Sequence, residues 1–201
     1  MVKFPYPKNV HPALVELVDQ MQEQYEKVSL HCAAKPYFGY RSTEEQAALY
    51  AQGRQPLWDV NMLRSRVGMS PITETENQRT VTNARPGASE HNANPARAVD
   101  MVIVDLHNGV NYVWDAGLDL DTDGIAEYVE LGRIGEQLGL TWGGAWKMKD
   151  WGHFELPAED SVAMKAIYAR LAPDPAKVLP EGHYDLTAEV NARRQRMGIP
   201  S

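Results

Sequence analysis

The sequence predicts an α+β fold, a small antiparallel or mixed sheet with flanking helices, and three observations carry that prediction. Stretches with apolar residues at helical spacing alternate with short runs rich in β-branched and aromatic residues. Leu106-His107-Asn108-Gly109 supplies an Asn-Gly hairpin signal, and no internal repeat or low-complexity tract interrupts the pattern. With 201 residues, 43% of them hydrophobic, the chain can bury one full-sized core.

Taken in order, residues 11–28 place Leu14, Leu17, Val18, Met21, Tyr25 and Val28 at steps of three or four, with Pro12 suited to a first helical turn. Leu30 to Phe38 is apolar but interrupted by Pro36. Ser42-Thr43-Glu44-Glu45 is a capping box, so a second helix is expected over Thr43–Gln52, closed by Gly53. Residues 54–78 read as a long loop with a short helix around Trp58–Arg66. Arg79–Thr82, Ala98–Asp105, Val110–Trp114 and residues 152–156 read as strands, and Gly124–Leu138 and Ser161–Leu171 as helices. Residues 1–156 therefore form the expected body of the domain. Residues 157–201, with Pro173, Pro175, Pro180 and a polar amphipathic stretch over 186–196, form a C-terminal extension of the same domain, too poor in large apolar residues for a core of their own.

Composition narrows the function. Twenty basic against 27 acidic residues leave a net charge of −7, which removes the electrostatic basis for nucleic-acid or anionic-membrane binding. No apolar stretch approaches a membrane span, and the opening residues lack the apolar region of a secretory signal. Synthesis in the cytoplasm, no stable membrane association and a monomer are the expectations. The single cysteine, Cys32, excludes a disulfide framework and an all-cysteine zinc site.

Of the six histidines, His91 and His153 stand out by their company. Ser89-Glu90-His91 is followed by Asp100 in an apolar strand, and His153 lies in Asp150-Trp151-Gly152-His153-Phe154-Glu155. Two imidazoles and a carboxylate make a zinc-ligand set that leaves a fourth position for water, whose pKa then falls to about 7. Asp150, three residues before a histidine, can sit near that water without being a ligand. Glu155, two residues beyond His153, shares its strand face and can orient it.

Three blocks, 39–54 (G-Y-R-S-T-E-E-Q-A-A-L-Y-A-Q-G-R), 81–92 (V-T-N-A-R-P-G-A-S-E-H-N) leading to 98–100 (A-V-D), and 142–155 (W-G-G-A-W-K-M-K-D-W-G-H-F-E), occur in an order that resembles the zinc peptidases of the D-alanyl-D-alanine carboxypeptidase type. Within that family the chain most resembles the phage endolysins that are L-alanyl-D-glutamate peptidases. The resemblance, over roughly residues 10–156, implies the family's fold, His91, Asp100 and His153 as zinc ligands, and Asp150 as general base. It also implies Arg41 as the group that binds a substrate carbonyl or carboxylate and steadies negative charge, with Ser89 hydrogen-bonding substrate or a ligand. The chain departs from the pattern in two places. His91 and Asp100 are nine residues apart where the family has seven, with Ala96 in place of a glycine, and Gly152 stands where the family often has proline. The turn-forming Asn94-Pro95 points to an outward bulge that leaves Asp100 in register.

A second metal signal is Asp119-Leu120-Asp121-Thr122-Asp123-Gly124 with Glu130 five residues on, the pattern of a calcium loop. Asp119, Asp121, Asp123, the Ile125 carbonyl and Glu130 are the expected ligands, with Glu127 contributing directly or through water. Some endolysin relatives have a calcium-responsive loop, which implies regulation by calcium met outside the cytosol. Trp142, Trp146 and Trp151 read as core packing, ahead of a role lining a groove.

The expected function is a zinc hydrolase cutting the L-alanyl–D-glutamate amide of the peptidoglycan stem peptide in a phage-lysis setting, made in the host cytoplasm and meeting the wall after the membrane is breached. The alternatives are a D,D-carboxypeptidase or dipeptidase, a catalytically inactive murein-binding protein, and a calcium-sensing adaptor.

Overall fold

The structure, a computed structural model, describes residues 4–29, 31–107 and 111–171. Helix α1 (Pro12–Val28) begins where Pro12 supplies a preset first turn and His11 Nδ1 accepts the Ala13 N–H. Its apolar stripe, Leu14, Leu17, Val18, Met21 and Tyr25, is fully buried. Strand β1 (Cys32–Phe38) follows, then α2 (Thr43–Ala51) and α3 (Leu57–Arg66). The expected capping box is formed: Ser42 Oγ accepts the Glu45 N–H and Glu45 accepts the Ser42 N–H. Gly53, at φ 75°, takes the left-handed conformation that ends α2. Strands β2 (Ala98–Asp105) and β3 (Asn111–Val113), helix α4 (Glu127–Gln137), strands β4 (Thr141–Trp142) and β5 (His153–Glu155), and helix α5 (Val162–Leu171) complete the described chain. Among these residues no helix is long and apolar enough to cross a membrane.

The strands form one antiparallel sheet in the order β1-β2-β5-β4, with β3 also paired to β2. Alternation along β2 divides its residues between two faces. Val99, Met101 and Ile103 join α1, α4, α5 and Phe154 in the hydrophobic core. Complete burial of each of Leu14, Leu17, Met21 and Phe154 contributes about 1.5–3 kcal/mol. Asp100, Val102 and Val104 point to the opposite face, where α2 and α3 wall a groove.

The structure corrects several sequence expectations. Arg79–Thr82 is not a strand, because its backbone pairs with no ladder; the exposed segment runs past α2, where buried Gln46 donates to Thr82 Oγ1 and the Ala84 carbonyl. Helix α4 starts at Glu127, three residues later than expected, since Gly124–Ala126 complete the acidic loop. β1 carries Pro36 within a strand, and its pairing shifts register between Pro36 and Phe38, which accommodates the missing N–H. Of the expected C-terminal extension, α5 buries Met164, Ile167 and Leu171 in the core, while the stretch over 186–196 lies outside the described residues.

Candidate functional site

Asp100 is the pivot of the groove. In the ladder it pairs with Phe38 on one side and His153 on the other, so β5 delivers the second imidazole directly beside the carboxylate. His91 arrives on a single 3-10 turn (Glu90–Asn92) preceded by Ser89, whose Oγ accepts the His91 N–H. Three atoms then converge among the described residues. His91 Nε2 lies 3.1 Å from Asp100 Oδ1, His153 Nδ1 lies 3.1 Å from the same oxygen, and the two nitrogens are 3.3 Å apart.

Each imidazole is held from outside. His91 Nδ1 lies 2.7 Å from the Gly39 carbonyl and donates to it, which leaves Nε2 to present a lone pair. His153 Nε2 lies 2.9 Å from Glu155 Oε2, leaving Nδ1 to face inward. Two ring nitrogens and a carboxylate oxygen thus crowd one point, where a proton on His153 or a metal ion supplies the positive charge that holds them together. Burial opposes a charge on His153, but its bonds to Asp100 and Glu155 prevail and push it up to about 9. Burial likewise opposes ionisation of Asp100, yet the two histidines hold its carboxyl far below the usual range. A tetrahedral ion with ligand bonds of about 2.1 Å sets its ligand atoms about 3.4 Å apart, so the trio fits such an ion.

The loop between His91 and Asp100 is anchored outside the trio. Val10 bridges Ala96, His11 N–H donates to the Ala96 carbonyl, Ala96 N–H donates to Asn9, and Asn9 Nδ2 donates to Asn94 Oδ1. Arg97 pairs with Glu90 and Glu159 and donates to the Pro157 carbonyl. Asp100 stays in register. Gly39 makes the same close approach: a Cβ there would lie 2.7 Å from Val10 Cγ2 and 2.9 Å from Pro7 Cβ.

Around the trio, Arg41 reaches Asp100 Oδ2 at 3.5 Å and donates to Gln46 Oε1 at 3.0 Å, while its backbone N–H donates to the His91 carbonyl. Gln46 is fully buried and is a positioning residue that the sequence did not single out; only its place in the arginine block hinted at it. Asp150 sits at the groove rim, where desolvation and the neighbouring Asp100 carboxylate raise its pKa, against the opposing pull of His153, His91 and Arg41. Ser89 also lines the groove. Of the three tryptophans, Trp142 is buried in the core and donates its indole N–H to the Trp151 carbonyl, whereas Trp146 lines the groove with its ring 4.9 Å from His153. Tyr40, which the sequence gives no functional reason to notice, lines the groove as well.

A family model for VanY, D-alanyl-D-alanine carboxypeptidase, matches residues 7–147. The chain belongs to the VanY family. The match ends before Asp150 and His153; in this VanY-family chain the β2–β5 ladder sets His153 beside Asp100. A peptidoglycan L-alanyl-D-glutamate endopeptidase of Bacillus subtilis (strain 168), CwlK, is 28% identical over 153 residues, covering 76% of each chain.

The acidic loop gives a second convergence. Carboxylate oxygens of Asp119, Asp121 and Glu127 lie within 4.8 Å of one another. Glu127, expected only as an auxiliary, is part of this trio; the expected Asp123 instead accepts the Ile125 N–H on Oδ1. Glu127 also accepts from Tyr25, Ser29 and the Leu120 N–H, which ties the loop to the end of α1. Glu130 is buried, and its Oε2 is the one buried side-chain oxygen among the described residues without a hydrogen-bond partner. Desolvation, then Asp123, Glu127, Asp121 and Asp119, push its carboxyl up to about 7.

Proposed function

We propose that this chain is a zinc-dependent peptidoglycan endopeptidase that hydrolyses the L-alanyl–D-glutamate bond of the stem peptide. The observation that carries the reading is the trio of inward-facing donor atoms of His91, Asp100 and His153, locked from behind by Gly39 and Glu155, at the floor of a groove of about 1010 Å³. The activity named for the B. subtilis relative supplies the choice of bond.

His91, Asp100 and His153 would hold the zinc, which when bound polarises the scissile carbonyl and makes a water acidic enough to attack near neutral pH. Asp150 takes the proton from the attacking water and returns it to the leaving amine; a carboxyl raised above the ordinary range is a stronger base than a free one. Arg41 offers a permanently charged fork to the developing oxyanion or to the substrate carboxylate, aimed by Gln46. Ser89 fixes the His91 turn and leaves its hydroxyl beside the substrate. Residues 1–156 act with 157–201 as an extension of one domain. The biological setting in this reading is phage-type lysis, in which the chain is made in the cytoplasm and meets the wall once the membrane is breached.

The same reading gives the 119–130 loop a calcium ion, held by Asp119, Asp121, Asp123, the Ile125 carbonyl, Glu127 and Glu130, and modulating activity through the link from Glu127 to α1. The buried, unpartnered Glu130 oxygen supports it. Digestion of purified peptidoglycan with zinc supplied or chelated, with and without calcium, and mass spectrometry of the fragments test both. Release of L-alanine-bearing glycan and free D-glutamyl peptides is expected only with zinc. Release of terminal D-alanine would instead establish a D-alanyl-D-alanine carboxypeptidase, and binding without cleavage would establish a murein-binding protein.

A further inference from the structure

Beyond the groove, the face of the sheet that carries Asp100 bears an aromatic shelf. Val102 and Val104 follow Asp100 on this face, are fully buried and lie outside the hydrophobic core cluster. Side chains of the neighbouring strands flank them. Lys35 on β1 pairs with Val102 and Tyr112 on β3 pairs with Val104, and Lys35 Nζ donates to Tyr112 Oη across β2 at 2.5 Å. Tyr37 packs edge-on against Tyr112 at 5.8 Å, Trp114 at 5.1 Å and Phe38 at 4.7 Å. The Lys35 ammonium lies 4.5 Å above the Tyr112 ring. Phe38, Tyr112 and Trp114 nonetheless remain 51%, 44% and 54% exposed, an apolar surface that a chain ordinarily covers.

The shelf is continuous with the catalytic groove. Phe38 pairs with Asp100 in the ladder and lines the groove, while its ring touches Tyr37. At about 3.3 Å per strand residue, Val102 and Val104 lie roughly 7–13 Å along β2 from Asp100.

We infer that this shelf binds the glycan strand of peptidoglycan, seating the muramyl sugar next to the scissile bond. This inference rests on the proposed cleavage between L-alanine and D-glutamate. In peptidoglycan the lactyl group of the muramyl sugar is joined directly to that L-alanine, so one residue of about 3.5 Å and the short lactyl link separate the sugar from the metal centre. With the sugar end of the substrate directed along β2 past Phe38, the sugar lies where the shelf begins. Cleavage at terminal D-alanine would place it four residues away, roughly 14 Å plus the lactyl link, beyond the shelf's near edge. Rigid aromatic faces match the C–H faces of pyranose rings at low entropic cost, and the Lys35 ammonium and Tyr112 hydroxyl offer polar partners to acetamido and hydroxyl groups.

The test compares a muramyl peptide with the same peptide lacking the sugar, using the zinc-loaded full chain, with Trp114→Ala and Tyr37→Ala beside the wild type and thermal unfolding recorded for each. The wild type is expected to cut both at the L-alanyl–D-glutamate bond, with KM lower for the muramyl peptide by about tenfold, and each variant to lose that advantage while keeping the sugar-free KM and kcat. Trp114→Phe should keep most of the advantage, which separates lost stacking from local unfolding. Equal KM for the two wild-type substrates, or equal losses on both in a folded variant, overturns the inference and leaves the proposed activity intact. Cleavage elsewhere in the stem removes both. Peptide-free glycan strands give a readout without catalysis: they should shift wild-type tryptophan fluorescence but not that of Trp114→Phe, and no wild-type shift overturns the shelf.

Discussion

The His91–Asp100–His153 centre and the 119–130 loop both gather groups that favour cations, but they gather them by different physics. In the first, sheet register sets Asp100 against His153, and a carbonyl and a carboxylate outside the trio turn each ring so that its free nitrogen faces inward. In the second, the oxygens are largely engaged with the loop's own amides: Asp119 accepts from Thr122 and Gly124, Asp121 from Asp123, and Asp123 from Ile125. A cation at the loop must therefore compete with local hydrogen bonds. At the centre it meets donor atoms that outside partners already hold facing inward. Rigidity imposed by neighbouring strands is what separates a preorganised site from one that forms around its ion.

The sharpest way to break this contrast is to remove one member from each. His91→Ala is expected to abolish zinc retention and hydrolysis together, whereas Asp121→Ala should leave calcium-free hydrolysis of a short stem peptide within about twofold; metal analysis and peptide assays check both. Asp150→Asn, which keeps the shape of the side chain, should lower the rate by about 10²–10⁴-fold with zinc content unchanged. Glu155→Gln tests whether outside support matters. Zinc affinity should fall by about 10–100-fold in a chelator competition while Asp100 and both imidazoles remain in place.

The smallest effect concerns the loop and proton linkage. The Glu130 carboxyl titrates at about 7 in the fold against 4.5 for the free group, so the folded state binds the proton more tightly than the unfolded one. Its contribution is thus most favourable below about 4.5 and is lost as pH rises through about 7. The melting temperature without calcium should carry this decline, Glu130→Gln should remove it, and calcium should raise the melting temperature most at the alkaline end.

Much of this was legible in the sequence, for identifiable reasons. The 3.6-residue period of α1, the Ser42–Glu45 box and the apolar run of β2 are local signals, and the structure forms all three. Asp100 could be singled out because a carboxylate in an apolar strand requires partners. Other features depend on what lies far away in sequence. β1 was obscured by Pro36, tolerated because pairing shifts beside it, and β4 spans only two residues. Arg79–Thr82 has strand-like residues but no neighbouring edge to pair with. The Gly39 carbonyl behind His91 is backbone, which side-chain patterns do not report, and Gln46 matters only because α2 turns it toward Arg41. The aromatic shelf has the same character, since Tyr37 lies on β1 and Trp114 just past β3, along opposite edges of β2.

The clasp of residues 9–11 on Ala96 has a practical consequence for recognising such chains. With Asn94 and Ala96 tied down outside the centre and Arg97 pinned beyond them, the length of the loop is decoupled from the position of the strand. Ligand spacing along the chain is then free to drift while spacing in space stays constant. A template written in three-dimensional distances would find the trio whatever the number of residues between its histidine and its aspartate.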